Sequence, residues 1–281
     1  MDISQNYFAR VEKLYQIENI HVMAGMNMPA QHYHDAYEIF YLVQGERNYF
    51  IKDRTYPITK GTLVFINMNE LHRTTSVDVP EYERILINFK NSFISELLPG
   101  MSIDLLQCFK HSSNAFKLNV NEQAYVENLL NRMINEDKKK GFGYDVSVKT
   151  MLMELLLLIA RHIHQNPADE FYNQNPLHKK VSDIVSYMNS NYRESISLHT
   201  LSKTFYMSPC YLSRIFKEVT GFNFTEYMNN VRILESKKLL RNSRLNITQI
   251  AENVGYDNAT HYGRVFKYIE GISPSRYRKN S

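Results

Sequence analysis

The chain has 281 residues, of which 43% are hydrophobic, and carries a formal net charge of +4, enough for two domains with separate cores. Its longest uncharged apolar run, residues 155–160, is too short to cross a bilayer, and the charged N-terminus lacks a signal peptide's apolar stretch. Two distant cysteines, Cys108 and Cys210, exclude a disulfide framework and a zinc finger. We therefore expect a cytoplasmic protein with no membrane partner.

Short strands are predicted from residue 20 to about residue 90. The β-rich runs combine aliphatic and aromatic residues and are separated by turn residues; they are 38–43, 48–51, 62–66 and 84–89. Regular short strands of this kind are typical of a sandwich or barrel. Residues 1–95 are therefore predicted to form a β-barrel.

The pattern becomes helical over residues 96–165. Helices are predicted around 122–140 and 144–165, and the second has a wide stripe of apolar residues from Val148 to Ile163. This stripe either packs against the barrel or, in part, pairs with a second subunit, so that the segment is a candidate for dimerisation. Residues 166–176 are polar and contain Pro167 and Pro176, which predicts a linker.

The charge is divided unevenly between the two parts of the chain. Residues 177–281 contain 16 Lys and Arg against 8 Asp and Glu, whereas residues 1–176 contain 17 against 21. The C-terminal part is therefore predicted to bind a polyanion.

The C-terminal part also contains an internal repeat with a period of fifty residues. LSRIFKEVTGFNFTEY at 212–227 recurs as YGRVFKYIEGISPSRY at 262–277. Each copy follows a short amphipathic segment and a tight turn, which predicts two helix-turn-helix units in residues 177–281. Such a unit places its second helix in the major groove of DNA.

The second helix of each unit begins at a capping residue, Ser208 or Asn258. Counting from these caps, the apolar stripes are predicted to be core; they comprise Leu212, Ile215, Phe216 and Val219, and Tyr262, Val265, Phe266 and Ile269. The opposite faces are predicted to be free for a ligand; they carry Cys210, Ser213, Arg214 and Lys217, and Thr260, His261, Arg264 and Lys267.

These side chains suit contact with DNA. Arginine can donate two hydrogen bonds to guanine, and serine, threonine and histidine add single contacts. The alternative for Arg214 and Arg264 is that they bind phosphate or a carboxylate within the protein. Lys217 and Lys267 are predicted to contact phosphate. A continuous helix over 225–240 would hold the two units apart, so that they enter successive major grooves about 34 Å apart.

The predicted barrel carries a cluster of histidines. Strand alternation places His32, His34 and Glu38 on one face, from which they can converge with His72. Three imidazoles and a carboxylate could bind Mn, Fe, Ni or Zn. The run HYHDAYEIFYLVQG at 32–45 resembles the first cupin motif, and residues 61–72 resemble a degenerate second motif.

Residues 181–278, with the runs MSPCYLSRIFKEVTG and GYDNATHYGRVFKYIEGISPSRYR, resemble the DNA-binding domain of AraC/XylS transcription regulators. The resemblance implies base contacts from Cys210, Ser213 and Arg214 and from Thr260, His261 and Arg264. It also implies RNA polymerase as a partner and an organic effector bound without metal. Two positions depart from the family pattern: Ser202 replaces a small alanine, and Tyr206 stands where glycine is frequent.

The expected fold is multidomain α+β, with a cupin-like barrel, a helical dimerisation segment and an all-α domain of two helix-turn-helix units. The expected function is sequence-specific regulation of transcription, as an activator and homodimer on promoter DNA. The effector, which could be a carbohydrate, is expected to contact His32, His34, Glu38 and His72. A metal-responsive regulator and a cupin enzyme are the alternatives, but no separate catalytic group is apparent, so no enzyme and no cofactor are predicted.

Overall fold

The computed structural model describes residues 13–23, 33–76, 81–166 and 175–280. Its N-terminal part is built from two antiparallel sheets, with strand orders β1-β7-β2-β5-β8 and β4-β3-β6. The strands are β1 (Tyr15–Val22), β2 (Tyr37–Gln44), β3 (Glu46–Ile51), β4 (Arg54–Thr59), β5 (Thr62–Ile66), β6 (His72–Ser76), β7 (Tyr82–Phe89) and β8 (Ala115–Lys117).

Alternating side chains give the larger sheet two buried faces. One face meets the smaller sheet across an apolar interior that includes Phe40, Tyr49 and Tyr82. The other face packs against the helices that follow, with Ile39 and Ile87 in that second core. The two faces arise because successive side chains of a strand point to opposite sides of the sheet. The two sheets confirm the prediction of a β-rich N-terminal domain.

Three helices complete this domain: α1 (Asn91–Ile94), α2 (Val120–Lys139) and α3 (Tyr144–Gln165). The long pair matches the two predicted helices, and the apolar stripe of α3 from Val148 to Ile159 is buried against the sheet and α2. Asn119 caps α2 by accepting hydrogen bonds from two backbone N–H groups. Strand β8 lies within the segment predicted to be helical and extends the sheet beside β5. None of the described helices is long and apolar enough to cross a membrane.

The C-terminal part is all-helical among its described residues. It comprises α4 (Pro176–Ser190), α5 (Leu198–Thr204), α6 (Pro209–Thr220), α7 (Phe224–Asn242), α8 (Ile247–Asn253), α9 (Ala259–Glu270) and α10 (Pro274–Lys279). Helix α7 belongs to both cores, since Tyr227 packs with the first unit and Ile233 with the second. At 1.5 Å per residue, this 19-residue helix is about 28 Å long, so it joins the two units stiffly.

The sensor domain, residues 13–166, contacts the helical domain through its smaller sheet. Phe50 of β3 lies in the core of the first helix-turn-helix unit, with its ring centroid 6.2 Å from that of Phe222 and 6.1 Å from that of Tyr227. The Tyr227 hydroxyl donates a hydrogen bond to the Lys52 carbonyl oxygen at 3.1 Å. The two domains therefore share buried apolar side chains.

Candidate functional site

The two second helices, α6 and α9, are built alike. Ser208 caps α6 by accepting a hydrogen bond from the Tyr211 N–H, and Asn258 caps α9 by accepting from the Thr260 and His261 N–H groups. Both helices have 12 residues and end at a left-handed glycine. The equal spacing predicted from the repeat is therefore present in the structure.

The predicted contact residues of α6 lie on its outer face. Cys210, Arg214 and Lys217 are exposed and Ser213 is partly exposed. The Arg214 guanidinium carbon lies 5.5 Å from the ring centroid of Tyr211, one turn earlier on the helix. Tyr211 is itself exposed, and the repeat aligns it with His261, so it belongs to the same face although it was not among the predicted contacts.

The predicted contact residues of α9 are likewise accessible. Thr260, His261, Arg264 and Lys267 are all exposed. His261 and Arg264 border a cleft of about 810 Å³ between α7 and α9. The cleft runs from the beginning of α7 to the middle of α9, so these two side chains line a concave surface rather than a flat one.

The turn before each second helix differs between the two units. Tyr206 and Gly255 occupy the same position and both have positive φ, 54° and 88°. The nearby departure from the family pattern, Ser202, is buried and satisfied, because its hydroxyl donates to the His199 carbonyl oxygen at 2.8 Å. The first unit thus carries backbone strain that the second avoids.

Inside the sensor, three of the four predicted cluster residues come together. His34, Glu38 and His72 are buried, and their potential ligand atoms lie within 4.8 Å of one another. His34 Nε2 is 2.9 Å from Glu38 Oε2, and His72 Nε2 is 3.8 Å from the same oxygen. The Tyr49 hydroxyl donates to Glu38 Oε1 at 2.7 Å. His32 lies outside the described residues.

Charge within the cluster is fixed by these contacts. Burial alone would raise the pKa of Glu38, but the charge of His72 and the hydrogen bond from His34 hold this pKa well below its usual value. Burial lowers the pKa of His34, yet its bond to Glu38 outweighs burial and the pKa is raised. Glu38 is therefore an anion in the interior.

The cluster resembles a metal site in its residue types. Two imidazoles and a carboxylate are a common ligand set for divalent transition metals. However, His34 donates at both ring nitrogens, from Nδ1 to the Ala36 carbonyl oxygen at 2.9 Å and from Nε2 to Glu38. A protonated imidazole has no lone pair for a metal, so these hydrogen bonds fit a metal-free cluster better.

Polar contacts connect the neighbours of these histidines to both helix-turn-helix units. Tyr33 donates to Glu270 Oε1 at 2.6 Å, and Lys237 Nζ lies 2.9 Å from the same oxygen. Arg73 Nη1 lies 3.5 Å from Glu226 Oε1. We call these five residues the interdomain contact. Tyr33 precedes His34 and Arg73 follows His72, so the buried cluster is covalently adjacent to both ends of the contact.

Comparison with known proteins agrees with this architecture. Residues 20–156 match the family described as AraC-like ligand binding domain, and residues 201–280 match a helix-turn-helix domain family. The chain is 24% identical over 275 residues to the HTH-type transcriptional activator RhaR of Mannheimia succiniciproducens, covering 97% of this chain and 94% of that protein. It is 26% identical over 249 residues to the Msm operon regulatory protein of Streptococcus mutans, covering 87% and 84%. A crystal structure of ToxT from Vibrio cholerae aligns with 95% of this chain and 97% of that chain, at 16% identity and a TM-score of 0.38.

A ligand-binding β-rich domain joined to two helix-turn-helix units defines a DNA-binding transcription regulator that takes a small-molecule effector. The enzymatic alternative is not favoured, because the matched proteins are transcription regulators. The metal-responsive alternative is not favoured either, because both ring nitrogens of His34 donate to oxygen acceptors. The chain belongs to the AraC/XylS family of transcription regulators and is not an enzyme.

Proposed function

We propose that the chain recognises promoter DNA by inserting α6 and α9 into successive major grooves on one side of the duplex. The observation that carries this proposal is the equal construction of the two helices, each capped at its start and each with an exposed polar face. The helix between them, α7, is about 28 Å long, which is of the order of one DNA turn, about 34 Å.

Base contacts are assigned to the outer faces near the start of each helix. In α6 they come from Cys210, Ser213 and Arg214; the contacts from α9 are assigned to Thr260, His261 and Arg264. Arg214 and Arg264 would each donate two hydrogen bonds to a guanine. Lys217 and Lys267 lie one turn further along and are assigned to phosphate, because a lysine acts as a point charge rather than a fork.

The effector is proposed to bind within the sensor interior, with His32, His34, Glu38 and His72 among its contacts. A carbohydrate is the class of effector that we propose. Since Tyr33 and Arg73 are chain neighbours of His34 and His72, a change in the cluster would reach Glu270 and Glu226 through the interdomain contact. DNA affinity and effector affinity must then alter each other by the same factor.

The regulator is proposed to act as an activator and as a homodimer. Several apolar side chains of the helical pair α2 and α3 remain exposed, among them Tyr125 and Val146. They lie on the segment that the sequence marks for dimerisation. Activation implies that RNA polymerase is a partner, and the sensor would act from the cytoplasm.

Genome-wide footprinting of the bound protein tests the proposal, because it yields the operator and the genes beside it. On that operator Arg264→Ala should weaken binding by about 1–3 kcal/mol and relax preference at one base pair. Lys60→Ala, which removes an exposed cation from the turn between β4 and β5 in the sensor, is the charge-matched control and should leave affinity unchanged. Equal weakening on all sequences would assign Arg264 to phosphate, and the absence of any preferred sequence would refute the function.

A further inference from the structure

Two arginines project into the sensor interior from opposite sheets. Arg47 lies on β3 and Arg84 on β7. The Arg47 guanidinium carbon is 3.8 Å from the ring centroid of Tyr82, and that of Arg84 is 5.7 Å from the ring centroid of Phe40. Tyr82 and Phe40 belong to the apolar core between the sheets, which places both guanidinium groups there.

The described residues provide no hydrogen-bond acceptor for most of the Arg84 guanidinium. Its Nε and Nη1 atoms are buried and have no hydrogen-bond partner among these residues. Buried donors in native proteins are almost always paired, so an Arg84 left in this state would be costly. Arg84 as a whole is partly exposed, so some of its atoms are in contact with solvent.

The Glu38 carboxylate does not accept the buried Nε–H and Nη1–H groups of Arg84. Both oxygens of Glu38 are occupied, one by Tyr49 and the other by His34. Register places Glu38 beside Asn88 and Leu42 beside Arg84, four residues further along β2. At 3.3 Å per residue, positions 38 and 42 are about 13 Å apart along β2, so Glu38 and Arg84 leave the backbone at different levels of the same interior.

The two guanidinium groups also act on each other. Burial lowers the pKa of Arg47, and the nearby charge of Arg84 lowers it further. Like charges in an interior of low dielectric repel strongly, and the aromatic faces of Tyr82 and Phe40 offset only part of that cost. An anion beside them would reduce this repulsion and accept hydrogen bonds from the unpaired N–H groups of Arg84.

We propose that Arg47 and Arg84 form the anion-binding end of the effector site, so that the effector is a small molecule bearing a carboxylate or a phosphate. This inference rests on the proposed function, because it assigns a charge to the effector of the same sensor. A guanidinium fork matches the planar geometry of both oxyanions. A neutral sugar would leave the Arg84 donors without a charged acceptor, and the histidine cluster at the other level would remain to contact its uncharged part.

The test compares thermal unfolding of the full chain with D-glucuronate, with D-glucose 6-phosphate and with neutral D-glucose at matched ionic strength. We expect at least one of the two anions to raise the thermal midpoint by about 3 °C or more, and D-glucose to leave it unchanged. The two anions distinguish a carboxylate effector from a phosphorylated one. If neither anion exceeds D-glucose, the inference is overturned.

Variants separate a binding site from a structural role. Arg84→Met keeps the apolar stem and removes the charge, so it should abolish the anion response without lowering the thermal midpoint of the ligand-free protein. Arg264→Ala, on the DNA-binding face, should retain the response and thereby exclude binding to the basic helical domain. A lowered midpoint together with a retained response in Arg84→Met would show that Arg84 is only structural.

Specific DNA binding is measured on the same preparations without ligand. A chain that prefers its operator but responds to no anion refutes the anion site and leaves the regulatory function standing. A chain that shows no preferred DNA sequence refutes the regulatory function, whatever its response to anions.

Discussion

One turn position distinguishes the two helix-turn-helix units, and it allows opposite substitutions to be compared. Tyr206 has φ 54° and a side chain that is 95% exposed, whereas the equivalent Gly255 has φ 88° and is closely surrounded. Left-handed backbone favours glycine, because a Cβ atom there approaches the following carbonyl oxygen. The first unit should therefore gain stability from glycine, and the second should lose stability without it.

The magnitude follows from the surroundings of each position. A Cβ on Gly255 would lie 2.7 Å from the Arg193 carbonyl oxygen and 2.8 Å from that of Tyr192. Left-handed strain of about 1–2 kcal/mol and overpacking of roughly 1–3 kcal/mol make Gly255→Ala destabilising by about 2–5 kcal/mol. Tyr206→Gly relieves the strain and loses no packing, and glycine's greater unfolded-state entropy offsets about 0.4–1 kcal/mol. A net gain of about 0.5–1 kcal/mol is expected.

Thermal unfolding of the full chain, followed by far-ultraviolet circular dichroism, measures both effects, because the helical domain contributes strongly to that signal. One kcal/mol corresponds to about 2–4 °C in a chain of this size class. Gly255→Ala should lower the midpoint by several degrees and Tyr206→Gly should raise it slightly, while Tyr206→Ala, which keeps a Cβ, should change little. A tolerated Gly255→Ala, or a midpoint lowered by Tyr206→Gly, would contradict the assignment of strain.

Three further substitutions test individual charged and polar side chains. Lys217→Ala should reduce the slope of log affinity against log salt by about 0.9, measured by titration of operator DNA, and an unchanged slope removes Lys217 from the phosphate contacts. Glu38→Gln should destabilise the sensor by about 3–5 kcal/mol in urea unfolding, because it leaves His34 buried without its anion; a loss below 1 kcal/mol would mean that the pair contributes little. Because the pKa of His34 is raised in the folded state, its contribution to folding stability is full below pH 6.5 and is lost as pH rises through the folded-state pKa. Because the pKa of Glu38 is lowered, its contribution to folding stability is full above pH 4.5 and is lost as pH falls through the folded-state pKa. The stability difference between the chain and Glu38→Gln should therefore be greatest between these values, and a flat pH profile would contradict it. Tyr33→Phe, which removes the hydrogen bond to Glu270, should raise effector-free DNA affinity about 5-fold if the interdomain contact restrains the helical domain; unchanged affinity would refute that restraint.

The fold was predictable where a pattern is long or repeated. The helix over 144–165 and the paired second helices were predicted with bounds close to those observed, since their apolar spacing extends over several turns. Strands β1, β4, β6 and β8 were not among the predicted runs. Strand β4 contains Pro57 and tolerates it because β4 is an edge strand of its sheet.

The candidate sites were predictable to different degrees. The exposed face proposed to bind DNA follows from the repeat alone, because two copies in one register identify which positions are core and which are exposed. The interior arginines were missed, since a charged residue in a strand is ordinarily placed on the solvent side. Arg84 lies two residues from both Tyr82 and Leu86, so the three side chains share one face of β7. That spacing was the available signal that Arg84 points inward. Contacts between domains, such as Tyr33 with Glu270, join residues that no local pattern relates.

The interdomain contact explains how one sensor can influence both helix-turn-helix units. Arg73 reaches Glu226 at the beginning of α7 in the first unit, and Tyr33 reaches Glu270 at the end of α9 in the second. Lys237, near the middle of α7, is bound to the same Glu270 oxygen, so α7 and α9 are held together where the sensor touches them. Allosteric coupling is typically about 1–3 kcal/mol, or 5–150-fold in affinity. A few partly buried polar contacts of this kind are of that order, since a hydrogen bond to a charged group contributes about 1.5–3 kcal/mol. We therefore propose that the sensor needs no large rearrangement, because loss of one such contact on effector binding would change DNA affinity by a regulatory factor.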